Sequence, residues 1–179
     1  RLDRADFYSP VTQVGAGCQH SGGGVPTLNA TGVRVGQSLQ LSATGCPANS
    51  VGVVFLGLGA ELLPSPFPLS LVLPGVAPTC AGWLAPGRIA TVTANTTASG
   101  GLAVSYAVPN NELLNDLVIS HQALLLDFFA PGGVVSSNGV QVQVGIKPRA
   151  AVVAVQGPPS TAVGSLQANY CPVTFFSWQ

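Results

Sequence analysis

Charge is what this sequence has least of: 7% of its 179 residues are charged, against about 25% in an ordinary soluble domain. Six basic and six acidic side chains cancel, so little repulsion keeps copies apart, and a net charge near zero favours association. The five arginines and the lone Lys147 are scattered, which leaves no basic stripe for nucleic acid and disfavours an anionic membrane surface. Apolar residues reach 47%. Even so, Gly, Pro, Ser or Asn interrupts every stretch short of the ~18 apolar residues of a membrane span, so no membrane insertion is expected. Methionine is absent, and the chain opens RLDRADFYSP without an apolar h-region; a signal peptide, if there was one, has been removed from this numbering. Cys-x-x-Cys is absent too, so the four cysteines fit disulfides better than zinc, and disulfides imply an oxidising compartment: extracellular or at the cell surface. They allow three connectivities.

What is there is strand material. Twenty-two glycines and 15 prolines cut the chain into pieces rich in Val, Leu, Ile and Thr, the pattern of short strands joined by turns. Strands are expected near 25–30, 38–44, 51–58, 69–73, 88–95, 102–108, 117–127, 139–145, 151–156 and 170–178, which makes an all-β antiparallel sandwich, Ig-like or jelly-roll-like. SLQLS, TVTAN and VQVQV alternate and predict one wet face each. VVFLGL and ALLLDFF are apolar on both faces, as in central strands or strands covered by another chain. One helical turn is expected at 110–116, capped by Asn110 or Asn111. Ser137-Asn138-Gly139 reads as a tight turn, since Asn-Gly tolerates positive φ. The proline-rich stretches 61–70 and 72–87 cannot be central strands. An N-terminal arm (1–13), a sandwich domain (14–145) and a C-terminal strand extension (146–179) follow.

Three segments together, YSPVTQVGAGCQHSGGGVPTLNATG, PNNELLNDLVISHQALLLD and SSNGVQVQVG, resemble a group of uncharacterised secreted β-sandwich proteins of planctomycete-type bacteria. Members carry a Gly-x-Gly-Cys-x-Gly-Ser start, a Pro-Asn-x-x-Leu turn, a Gln-Ala-x-x-x-Asp strand and a Ser-Asn-Gly ending. The resemblance covers about residues 8–145 and implies a secreted sandwich without assigned catalytic residues. This chain departs from it at Gln19-His20, in having Cys46 and Cys171, and in everything from 146 onward. Cys18 and Cys80, both inside the family-like region, are expected to pair, leaving Cys46 to meet Cys171 and tie the tail to the domain; Cys171 bonding another subunit is the alternative.

Candidate sites are few. Cys18-x-His20 lies among five glycines in VGAGCQHSGGGVPTL, but a zinc site needs more ligands to converge, and the glycines lead into no Gly-Lys-Ser/Thr. A stapled turn is the expectation there. His121 is in phase with Ile119, Ala123 and Leu125, so it reads as a strand histidine on an apolar face, with no Gly-x-Ser-x-Gly elbow to partner it. Glu112 and Asp116 read as a solvated face rather than a calcium site. No catalytic residue, metal or cofactor is expected. Asn29-Ala-Thr31 and Asn95-Thr-Thr97 are candidate glycosylation sequons. Trp83, Phe175, Phe176 and Trp178 are the candidate ligand or interface aromatics. The expected function is a non-enzymatic extracellular structural subunit that polymerises with itself by strand addition. A monomeric carbohydrate-binding or adhesion module using Trp83 is the alternative.

Overall fold

Alternation makes SLQLSAT a strand with one wet face: Leu39, Leu41 and Ala43 are buried while Ser38, Gln40, Ser42 and Thr44 are exposed. The computed structural model describes residues 9–58, 62–84, 89–145, 151–154 and 165–168. Among them the strands are β1 (Val11–Val14), β2 (Thr27–Ala30), β3 (Ser38–Thr44), β4 (Val51–Leu58), β5 (Leu62–Pro68), β6 (Ala81–Leu84), β7 (Ile89–Asn95), β8 (Leu102–Ala107), β9 (Val118–Leu126), β10 (Val134–Gln143), β11 (Ala151–Ala154) and β12 (Ser165–Ala168). The chain divides into two compact units, Arg1–Ile146 and Lys147–Gln179. In the second, β11 and β12 form an antiparallel pair running from Ala151 opposite Ala168 to Ala154 opposite Ser165.

The first unit is all-β and antiparallel. A five-stranded sheet runs β1-β10-β9-β4-β7, a three-stranded sheet β2-β3-β8, and β5 and β6 pair as a ribbon. One hydrophobic core takes side chains from both larger sheets: Leu28, Leu39 and Leu41 from one, Val54, Ala123, Leu125, Val140 and Val142 from the other, all buried. The sheets come close enough at Gly52 that a Cβ there would stand 2.7 Å from the Leu102 side chain. The strands apolar on both faces are central, as expected. On β9 the second face carries the buried Gln122 and is covered by β6, whose Ala81 carbonyl accepts from Nε2 of Gln122 at 2.8 Å.

Several expected elements are corrected. LSLVL at 69–73 is not a strand: Pro68 precedes it, Pro74 follows, and the amides of Val72 and Leu73 both fold back onto the Leu69 carbonyl in a 3-10 turn over Leu69–Leu71. Ser137-Asn138-Gly139 is no hairpin turn but lies within β10, where the register against β9 shifts between Ser136 and Gly139. Residues 11–13, assigned to an arm, belong to β1 at the edge of the large sheet. The helical turn is present as a 3-10 turn, Glu112–Leu114, capped by the Asn111 side chain accepting from the Leu113 amide. Proline at 64, 66 and 68 puts the missing donors on one side of β5, so this stretch forms a two-stranded ribbon and no central strand. β12 lies between two expected strands, at a place where none was expected. The strand expected at 170–178 lies outside the described residues.

One polar pair crosses the core. The Tyr106 hydroxyl of β8 meets Nε2 of His121 of β9 at 2.6 Å, with His121 fully buried. Its Nδ1, on the side of the Val140 carbonyl, completes no hydrogen bond of ordinary geometry. Burial pushes the imidazole from its ordinary 6.5 down to about 4, opposed in part by that carbonyl. The native state therefore holds His121 neutral where the unfolded chain would protonate it. Its contribution is complete above the unfolded value of about 6.5 and is lost as pH falls toward 4, up to about 3 kcal/mol in all. Urea denaturation at pH 7.5, 5.5 and 4.5 should show that decline in wild type and a markedly flatter profile in His121→Gln; equal slopes would refute the assignment.

Candidate functional site

The glycine-rich stretch of residues 14–28 folds into a stapled loop. Beyond β1 the chain continues beside β10, where the Cys18 amide donates to the Ser136 carbonyl at 2.9 Å. Cys18 then bonds Cys80, 62 residues away in sequence, with Cα atoms 4.8 Å apart. Within the loop His20 is an internal brace. Its Nδ1 accepts the Gly22 amide at 2.9 Å, and its ring lies where a Cβ on Gly24 would be, 2.5 Å from Nε2. Glycine at 24 is thus a space requirement set by the histidine.

The loop is anchored to the β9–β10 connection by Asp127. Its carboxylate accepts the Ser21 amide at 2.6 Å, the Ser21 hydroxyl at 2.9 Å and the Phe129 amide at 3.2 Å. Burial works against ionisation there, but these bonds, with the nearby His20 acting in the same direction, outweigh it and hold the carboxyl below its usual range. Serine, histidine and aspartate do meet here, yet not as a nucleophile relay. The hydroxyl donates a hydrogen bond to the carboxylate, and the imidazole nitrogen accepts one from a backbone amide.

The bulge in β10 organises the rest. Asn138 turns its side chain to β2, accepting the Leu28 amide at 2.7 Å and donating to the Leu28 carbonyl at 3.1 Å. One amide side chain thus replaces a strand partner and joins the two sheets. Ser137 accepts the Ala123 amide at 2.9 Å and donates to the Asn138 carbonyl at 2.8 Å. Gln122 of β9 receives the Trp83 amide at 2.8 Å and donates to the carbonyls of Ala81 and Ser137 at 2.8 and 2.9 Å. Side chains thereby take up main-chain groups of the interrupted ladder, and β6 is clamped onto the sheet.

Trp83 sits on β6 rather than in a loop. It is half-buried, its Nε1 donates to the Ala16 carbonyl at 3.4 Å, and its ring covers Gly15, where φ is +69° and a Cβ would stand 1.8 Å from the indole. The ring packs on Gly15 while the residue stays half-exposed. Cys46 corrects the expectation of a second staple: it is a buried free thiol, 4% exposed among core residues, and burial raises it to about 11. Its expected partner Cys171 lies outside the described residues, as do Phe175, Phe176 and Trp178. Asn29, half-buried in β2, accepts from the Gln13 side chain of β1. Asn95 is exposed at the end of β7, and its sequon threonine, Thr97, is exposed in the following turn. Glu112 and Asp116 are both exposed, and the Asp116 carboxylate accepts from Nε2 of the Gln143 side chain at 3.2 Å.

Two features escaped the sequence reading. Phe128 and Phe129, expected to continue an apolar strand, stand 84% and 90% exposed on the β9–β10 loop. They face water because Asp127 ends the strand by capping that loop. The second is the polar run Ser136-Ser137-Asn138, whose bulge function depends on a partner 110 residues away. Among the described residues no group of three His, Cys, Asp or Glu side chains is placed to hold a metal ion.

Replacing Asn138 with alanine leaves the Leu28 amide and carbonyl buried without partners and should cost about 2–4 kcal/mol in chemical denaturation. Opening the staple in Cys18→Ala/Cys80→Ala releases a 62-residue loop and should cost about 4 kcal/mol. Losses under 1 kcal/mol for either would mean that the loop and bulge do not organise this end.

No family model matches the chain, and no curated protein or solved structure matches it either.

Proposed function

We propose that this chain is a non-enzymatic extracellular structural subunit, an antiparallel β-sandwich that assembles with copies of itself by strand addition into a filament, sheath or surface layer. The observation that carries this reading is the state of its sheet edges. β1 and β7 end the five-stranded sheet, β8 ends the smaller one, and none of the three contains a charge or a proline. Lysine, proline and inward charge are the usual means by which soluble β-proteins keep edges from pairing. Here those means are missing from β1, β7 and β8, in a chain that is 7% charged overall. The exposed Phe128 and Phe129 add apolar surface that pairing copies could cover.

The compartment follows from the staple, since a disulfide across 62 residues belongs in a non-reducing environment. The likeness to secreted planctomycete-type proteins points the same way. No helix among the described residues is long and apolar enough to cross a membrane. Glycan is a fitting partner at Asn95, the exposed sequon. The alternative, a carbohydrate-binding module, would have to use a Trp83 ring that packs on Gly15.

Size exclusion under non-reducing conditions, run beside negative-stain microscopy, tests the proposal. Species far larger than the 18.0 kDa chain, with regular fibres or sheets, are expected. A sharp monomer at millimolar concentration would overturn it.

A further inference from the structure

The two long sides of the paired sheets are not alike. On the β1/β2 side they are laced together: Asn138 holds both main-chain groups of Leu28, Gln13 donates to Asn29, and Arg34 bridges Gly145. On the β7/β8 side the connection is the turn between the two strands, secured at Thr96, whose hydroxyl accepts the Ser50 amide at 2.7 Å and donates to the Pro47 carbonyl at 2.6 Å. Along the strands themselves core residues stay open to solvent. Val92 and Ala94 of β7 and Tyr106 of β8 pack against the core yet are only partly buried. Beyond β7 no strand follows among the described residues.

The face pattern of β7 restricts what can pair there. Val92 and Ala94 stand opposite Val54 and Gly52 and pack against the core, while Ala90, opposite Leu56 on the same face, is exposed beyond its edge. Thr91, Thr93 and Asn95 are exposed on the outer side. An antiparallel partner must set core face against core face, because a one-residue slip reverses every side chain. For two identical strands related by a two-fold axis, that condition places the axis at a residue and never between residues. Of the choices, only Val92 is the midpoint of Ile89–Asn95, so only that register pairs all seven residues. It sets Val92 against Val92, Ala90 against Ala94 and Thr91 against Thr93. Cross-strand Thr pairs are favourable, and no charge meets its like.

We propose that β7 is the assembly edge and that its partner is β7 of a second copy, paired antiparallel about Val92 so that two five-stranded sheets become one of ten strands. This rests on the self-assembly reading above and specifies its contact. The resulting interface is isologous. Growth beyond the dimer would then use another surface, of which the β1 edge is one.

Cysteine scanning reads the register. Directly opposed residues in an antiparallel pair have Cα atoms about 4.5–5.5 Å apart, within disulfide reach, whereas a residue and its own copy offset by two positions lie roughly 8 Å apart, outside it. In a Cys46→Ser/Cys171→Ser background, an equimolar mixture of Thr91→Cys and Thr93→Cys proteins should give a covalent dimer under mild oxidation. Each alone should give at least tenfold less. Thr91→Lys/Thr93→Lys, folded by near-UV circular dichroism, should lose association, while Thr12→Lys on β1 should keep the dimer. If wild type is monomeric, both this proposal and the assembly reading fail. If wild type assembles, the mixture does not cross-link and the lysine variant still associates, β7 is the wrong edge and the assembly reading stands.

Discussion

The stapled end of the molecule depends on one extra residue in β10. Where the ladder against β9 slips between Ser136 and Gly139, main-chain groups that a regular sheet would satisfy are left over in a buried region, and each must find a partner or cost about 1–3 kcal/mol. Ser137, Asn138 and Gln122 supply those partners. In doing so they reach outward to β2 and β6, so the repair of one local defect fixes how two neighbouring elements sit. The disulfide then adds its constraint to backbone that hydrogen bonds have already placed beside Ser136. The glycines follow in turn, because they lie where chain passes against indole or imidazole.

How much of this was legible in sequence varied with the range of the interaction responsible. SLQLSAT and the alternation of TVTAN were legible because burial with period two is a local property. The Cys18–Cys80 bond was anticipated from resemblance, not from spacing. Ser-Asn-Gly was misread because a tight turn and a bulge draw on the same local signals, and the deciding partner, Leu28, is 110 residues away. An even cysteine count suggested two bonds, yet Cys46 packs as a small apolar side chain in the core, which parity cannot reveal. Trp83 looked like a loop aromatic because prolines surround it, whereas Gln122 draws its backbone into a ribbon. The run Ser120-His121-Gln122 inside an otherwise apolar strand was a visible anomaly. Its meaning, one residue turned to Tyr106 and the next to β6, emerges only once both faces of β9 are covered.

Low charge and open edges bear on each other. A secreted monomer with uncharged edges and a near-zero net charge risks indiscriminate association, and no charged residue on β1, β7 or β8 guards against it. The two sides of the paired sheets are asymmetric. The β1/β2 side is drawn together by side chains that bind main chain, while the β7/β8 side keeps partly exposed core residues within one face. In the proposed assembly, association is thereby directed to that side rather than spread over the surface.

The composition of β7 also tempers its strength. Alanine at 90 and 94 buries little area, and alanine has weak preference for strands. Seven paired residues with such side chains make a contact that relies on main-chain hydrogen bonds, worth about 1 kcal/mol each net, against several kcal/mol for bringing two molecules together. A single β7 pair is therefore a weak, concentration-dependent joint. Asn95 closes the same strand with an exposed side chain, so a glycan attached there would crowd the pairing at both ends, because the two-fold axis places residue 95 of each copy opposite residue 89 of the other. With the sequon on the proposed assembly edge, assembly would be set by modification and by local concentration, with no change to the core that holds the fold.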